Sequence, residues 1–314
     1  MSLPIAPISA AERSFILTGL SHPTHPTRSD GRQLLSPLPI QISYGEAPQA
    51  SGSARVCIGS TEVLAGIRLE VEDIPLESKK DAWRGRVEVD VTPQAYPNLG
   101  TSDLSRLANS YAALISDHFM PSVKALPILP PTKYFIPYLH LTLLSSSSAC
   151  IPTALISAAR AAFCDLRIPI TKRIGWEGVE GDVGAEVEKD LSGIKAAVRA
   201  GRGGKGKSRA VGRGGEEWDL AGGEIFLEGR EDLPVLVVLN LIPNSQGLFL
   251  DATPQEEAAC PDRLLLYFRR SGKLCGMRTE GTTGLDLDRI RPLLLEGKRI
   301  AMELINILNA QMPI

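Results

Sequence analysis

Residues Gly52 to Asp73, reading GSARVCIGSTEVLAGIRLEVED, constrain the fold more than any other stretch, because pattern, turn chemistry and length agree on one structure. Ala54, Val56 and Ile58 alternate with Arg55 and Cys57. Beyond Gly59-Ser60, Val63, Ala65, Ile67, Leu69 and Val71 alternate with Glu62, Arg68, Glu70 and Glu72. A period of two marks a strand with one buried face. Glycine at the first position of a two-residue loop supplies positive φ without a Cβ clash, so Gly59-Ser60 suits a primed hairpin turn. A one-residue slip would bury a row of charges, which fixes the register with Glu62, Arg68, Glu70 and Glu72 expected in water.

Other elements are read in the same way. Ser9 and Glu12 form a capping box for a helix carrying Phe15, Ile16, Leu17 and Leu20, and Ile40 to Ile42 begin a strand ending near Gly45. Arg86 to Val91 alternates with Val87, Val89 and Val91 on one face. A helix from about Asp103 to His118, capped by Thr101 or Ser102, is stopped by Pro121. Tyr134 to Ser145 is a strand whose Pro137 belongs at an edge or bulge, and Pro152 to Asp165 is a buried helix. Val235 to Leu241 is a continuous apolar run, the pattern of a strand covered on both faces, with Gly247 to Leu250 beside it. Leu264 to Arg269 and Lys273 to Met277 form a hairpin about Ser271-Gly272. A last helix spans Asp286 to Leu308 with a stripe of Leu287, Ile290, Leu294, Ala301, Leu304 and Leu308, kinked or started at Pro292.

Between Thr171 and Leu220 this regularity dissolves. Glu177, Glu180, Asp182, Glu186, Glu188 and Asp190 make an acidic half, and Lys195, Arg199, Arg202, Lys205, Lys207, Arg209 and Arg213 a basic half among glycines. That composition predicts an inserted, flexible loop. GRGGKGKS fails the phosphate-loop spacing and does not join a strand to a helix. An arginine- and glycine-rich segment can hold RNA phosphates without sequence preference, which makes Arg199, Arg202, Lys205, Lys207, Arg209 and Arg213 candidate RNA contacts.

The net charge of −2 argues against binding nucleic acid through bulk charge. The five cysteines, Cys57, Cys150, Cys164, Cys260 and Cys275, lack metal or redox spacing, so free thiols are expected. There is no charged-then-apolar leader pattern, and the most apolar run, Leu233 to Leu241, is far shorter than the ~20 residues needed to span a bilayer. No membrane partner, metal or cofactor is expected, and the compartment reads as cytosol or nucleus. His22 and His25 are two ligands without a third and read as loop; His140 lies in a strand with no nucleophile placed beside it. Glu256 and Glu257 read as a solvated rim rather than a cation site.

Several stretches together resemble one family. Arg28-Ser29-Asp30-Gly31-Arg32, the GSARVCIGSTEVLAGI hairpin, Arg86 to Val91, GLFLDATPQEEA, GKLCGMRTEGTTGL and GKRIAMELI, in that order, are similar to RNase PH-like ring subunits of the RNA exosome, of the non-catalytic class. The resemblance covers residues 9 to 170 and 224 to 310. It implies an α+β, RNase PH-like fold, whose first half is like ribosomal protein S5 domain 2 and whose second half is α/β. The expected divisions are 1–27 (N-terminal helix and linker), 28–170 (first RNase PH-like half), 171–223 (inserted loop) and 224–314 (second RNase PH-like half with the C-terminal helix).

The resemblance also implies assembly, as heterodimers with other RNase PH-like subunits, into a six-membered ring that meets cap subunits, an associated nuclease and RNA. The implied setting is nucleus, nucleolus and cytoplasm. Active relatives look to have a paired-arginine phosphate site near Asp103 and an Asp-Gly-Gly turn after the strand ending at Ser145. Here Arg106 stands alone and Ser145 to Ser148 occupy the turn, so no catalytic residue is expected. Asp232, in Asp232-Leu233-Pro234-Val235, resembles the position of the family's catalytic aspartate and defines the rival reading, a phosphorolytic 3'-to-5' exoribonuclease. A second rival is a free-standing RNA-binding protein acting through the basic insert.

Overall fold

The computed structural model describes residues 8–73, 85–130, 132–146, 151–174, 217–243, 245–281 and 287–313. The chain divides into two compact units. One joins Met1–Pro169 to Glu224–Ile314, and the other is Ile170–Gly223.

The opening hairpin is the middle of the first sheet. Strands β1 (Ile40–Tyr44), β2 (Gly52–Ile58), β3 (Thr61–Asp73), β6 (Lys133–Ser145) and β4 (Arg86–Val91) lie in that order, antiparallel except for the parallel pair β4–β6; β5 (Leu126–Leu129) pairs with the start of β6. Register aligns the apolar positions into rows that cross all five strands. Ile42, Val56, Val63, Leu143 and Val91 form one row, and Tyr44, Ala54, Ala65, Leu141 and Val89 the next. Gly59 has φ +60 at the hairpin turn, as the primed-turn reading requires. Pro137 falls where the partner on one side of β6 changes from β5 to β4, the place in the strand where a missing N–H costs least.

Helix α3 (Ile151–Asp165) covers those rows. Pro152 through Cys164 are all buried, because α3 packs on β1, β2, β3 and β6 and also on β9 of the second sheet. Small side chains let it approach closely. A Cβ on Gly52 would lie 2.6 Å from the Leu166 Cα and 2.7 Å from the Ala162 carbonyl oxygen. Helix α2 (Thr101–His118) packs on β4 through its buried stripe, which includes Leu104, Leu107, Tyr111 and Ile115.

The second sheet runs β10 (Leu248–Phe249), β9 (Val235–Leu241), β11 (Arg263–Phe268), β12 (Leu274–Glu280). Every β9 residue is buried, including Asn240, which interrupts the apolar run and donates its side-chain amide to the Phe249 carbonyl. Val235, Val237, Leu239 and Leu241 pack with Leu264, Leu266 and Phe268 against Leu293, Ala301, Ile305 and Leu308 of α5 (Leu287–Ala310), while α3 lies against β9 as well. The N-terminal helix α1 (Ala10–Leu20), with its Ser9–Glu12 capping box, packs on the short helix α4 (Pro254–Ala259).

Several sequence expectations are corrected. Helix α2 is capped by Gly100 rather than by Thr101 or Ser102. The alternation of β3 fails at its outer end, where Val71 is 43% exposed because the strand runs past its covering helix. On α5 the fully buried stripe is Leu293, Ala301, Ile305 and Leu308, with Leu294 and Leu304 only partly buried; Pro292 sits inside the helix. The two ends of the 171–223 stretch are strand rather than loop, since β7 (Arg167–Ile174) and β8 (Glu217–Phe226) pair as a two-stranded sheet. The charged halves of that stretch, from Glu177 to Asp190 and from Lys195 to Arg213, lie outside the described residues.

Candidate functional site

One cluster of linked polar groups forms around the first residue of β11. Arg263 precedes five buried hydrophobic residues and is 6% exposed. The β11–β12 register sets it directly opposite Glu280, to whose carboxylate Nε and Nη2 donate at 2.8 and 2.6 Å. From α4, Glu257 accepts from Nη1 at 3.3 Å. Arg278 extends the chain, its Nε lying 3.2 Å from the other Glu280 oxygen. Burial pushes the Glu257 carboxyl up, Arg263 opposes it, and Glu280 adds to the rise. On α2, burial holds the Tyr111 phenol well above its ordinary value, with Tyr96 beside it and Arg263 and Glu257 within electrostatic reach.

Guanidinium and carboxylates therefore alternate as Glu257, Arg263, Glu280 and Arg278. A buried cation shared between two carboxylates has no charge left for an incoming anion, and its hydrogen-bonding edge is taken. In the first turn of α2, Arg106 is a lone, exposed cation that pairs with Asp103 three residues before it. At the end of β6, the Ser145 hydroxyl donates to the Ser60 carbonyl at 2.7 Å and the Ser146 hydroxyl to the Ala95 carbonyl at 2.6 Å, so both tie this end to the neighbouring loops. Ser147 and Ser148 lie outside the described residues.

Asp232 ends a 3-10 turn, Arg230–Asp232, its N–H donating to the Gly229 carbonyl at 3.0 Å. Its neighbours are fastened down. Arg160 of α3 donates to the Leu233 carbonyl, Asn309 of α5 to the Glu231 carbonyl, and Arg230 to the carbonyls of Cys164 and Pro313. The turn leads the chain into β9 and ties that strand to two helices.

The remaining candidates are placed as follows. His140 Nε2 lies 3.0 Å from Asp90 Oδ2 on the open face of the first sheet. His22 accepts from the His25 N–H at 3.0 Å, and among the described residues no group of three or more metal-ligating side chains forms. Cys57, Cys164, Cys260 and Cys275 are free thiols. Among the described residues no helix is long and apolar enough to cross a membrane. The candidate RNA contacts Arg199, Arg202, Lys205, Lys207, Arg209 and Arg213 all lie outside the described residues.

The reading of Glu256 and Glu257 as a solvated rim is wrong. Thr253 caps α4 in a reciprocal box with Glu256, which is fully buried and bonded to Arg28. Glu257 keeps 31% of its side chain exposed but is committed to Arg263. The clue to Arg263 lies in the sequence, as a charge at the head of Leu264-Leu265-Leu266. Its two partners are reached only through the β11–β12 register and the turn of α4.

The fold has counterparts among known proteins. The RNase PH family profile, described as "3' exoribonuclease family, domain 1", matches residues 38–169. Residues 38–169 are an RNase PH domain. Around that domain the whole described chain keeps the RNase PH fold. It superposes on a chain of the Archaeoglobus fulgidus exosome with RNA bound to the active site (TM-score 0.62, 18% identity, 96% of this chain and 98% of that one). It also superposes on an archaeal exosome core chain (TM-score 0.63, 19% identity, 95% and 96%). In sequence, the Saccharolobus islandicus exosome complex component Rrp42 is 43% identical over 70 residues, 22% of this chain and 25% of that protein. Ribonuclease PH of Deinococcus radiodurans is 37% identical over 65 residues, 20% of this chain and 26% of that enzyme. The matched stretches thus span about a quarter of the length of these relatives.

Proposed function

We propose that this protein is a non-catalytic structural subunit of an RNA exosome ring. It pairs with other RNase PH-like subunits, helps to build the channel that threads RNA, and supports 3'-to-5' processing and turnover, ribosomal RNA maturation included, by a nuclease elsewhere in the assembly. Cap subunits and that nuclease are its further partners. Nucleus, nucleolus and cytoplasm are its proposed sites of action. Arg199, Arg202, Lys205, Lys207, Arg209 and Arg213 are its proposed RNA contacts.

One observation carries the non-catalytic aspect of this reading. Phosphorolysis needs free cations to hold an attacking phosphate and to stabilise charge in transfer. Here Arg263 is clasped by Glu257 and Glu280, and Arg106 has no second arginine beside it. The ring assignment is supported by the Rrp42-named relative and by the likeness of the fold to exosome core chains.

Sedimentation of the native protein tests the assembly. Co-purification with related subunits in a large particle is expected. A lone monomer without a related partner contradicts the proposal.

A further inference from the structure

A cleft between the β11–β12 hairpin and α5 belongs to none of the features above. It encloses about 390 Å³. Phe268, Leu274, Ile290 and Leu294 line it, and Leu295, 64% exposed, forms its lip. Arg291 and Lys298 stand on the same side of α5 at its rim. Lys298 extends over the β11–β12 turn, where Gly272 has φ +73 and an added Cβ would lie 2.6 Å from the Lys298 Cε. Glycine thus satisfies the turn and leaves room for the lysine to bridge it. The turn itself carries Arg270 and Lys273, both exposed. Among the described residues none of these four cations forms an ion pair, whereas Arg299, on the same helix, is held by Glu296 and Glu303.

We propose that this cleft docks a peptide segment of a partner protein in which bulky apolar side chains are flanked by carboxylates. An open cleft with an apolar floor fits an aliphatic or aromatic side chain, and an exposed leucine at the lip gains by being covered. Cations unpaired among the described residues, set around an apolar centre, complement carboxylates on either side of the anchor. A nucleic acid base fits less well. It needs an aromatic face to stack on, and Phe268, the one ring in the cleft, is 3% exposed in the floor. This docking site goes beyond the ring assignment and does not depend on it.

Fluorescence anisotropy with the full chain tests it. The probe is a short labelled peptide with a central Phe-Leu pair between paired acidic residues; the comparators carry Ala-Ala at the centre, or lysines for the acids, and an oligouridylate is titrated in parallel. Saturable binding of the acidic Phe-Leu peptide is expected, weaker for both peptide comparators. Leu295→Asp is expected to weaken it by roughly tenfold or more, the scale of one lost buried leucine. Lys298→Glu and Arg291→Glu should each weaken it by a few-fold and flatten its salt dependence. All three positions are exposed, and unchanged circular dichroism confirms that the variants fold. No saturable binding of the acidic peptide, equal binding of the comparators, or indifference to Leu295→Asp overturns the proposal. Tighter binding of oligouridylate, lost in the same variants, overturns it in favour of RNA.

Discussion

Arg28 and Glu256, 228 positions apart, meet as a fully buried two-bond pair, with Nε and Nη2 donating to the two carboxylate oxygens at 3.0 and 2.6 Å. The same guanidinium donates to the carbonyls of Leu250 and Asp251 and lies over the Phe249 ring. It fastens the N-terminal segment to α4 and the turn before it at four acceptors. Truncating one partner strands a buried charge, so Arg28→Ala is expected to cost about 3–5 kcal/mol in urea unfolding. Arg28→Lys should recover little of this, because an ammonium cannot span the planar set of acceptors. A double-mutant cycle with Glu256→Ala should show strong coupling; additive losses would mean that the pair does not act as a unit.

Gly52 marks the tightest approach between α3 and the first sheet. Gly52→Ala forces a methyl group into the backbone at Leu166 and Ala162, which cannot move without shifting the helix. A loss of about 1–3 kcal/mol or more is expected. Gly66→Ala in the neighbouring strand meets only the Ala50 Cβ at 3.8 Å and should be close to neutral. Thermal melts of the two variants side by side check the difference.

Asp251 gives a pH-dependent prediction. Burial pushes its carboxyl above the ordinary value, outweighing the Leu38 N–H and the charges of Arg32 and Arg28. A raised folded value means that this residue costs no stability below the ordinary aspartate range and becomes costly as pH rises through the folded value. Asp251→Asn removes that cost. Asparagine keeps an acceptor for Leu38 and tolerates the left-handed backbone here, φ 45. The variant should melt higher than the parent at neutral pH, with the gain shrinking as pH falls towards the ordinary aspartate value. A gain that grew on acidification would contradict this assignment.

What is legible in the sequence follows from how local its causes are. The Gly59 turn, the two-residue period around it and the largely apolar β9 run are written in adjacent residues, and each forms where expected. The Ser9–Glu12 box is equally local. By contrast β5 is hidden, because Leu126-Pro127-Ile128-Leu129 sits among prolines and becomes a strand only by pairing with β6. Glu256 reads as a wet acid because its partner lies near the other end of the chain. The first turn of α2 is legible in its residues, since Arg106 has no second arginine beside it. The clasp on Arg263 is not, because it needs a strand register and a helix turn that no nearby pattern records.

The central claim is that this subunit builds the ring without cutting RNA, and phosphate-dependent release of nucleoside diphosphates tests it most directly. The purified chain is incubated with single-stranded RNA and inorganic phosphate, beside its Asp232→Ala variant and the co-purified assembly. The account predicts no diphosphate from the chain alone, and no change in the assembly's output when Asp232→Ala replaces the parent. Release by the isolated chain that Asp232→Ala abolishes would contradict it.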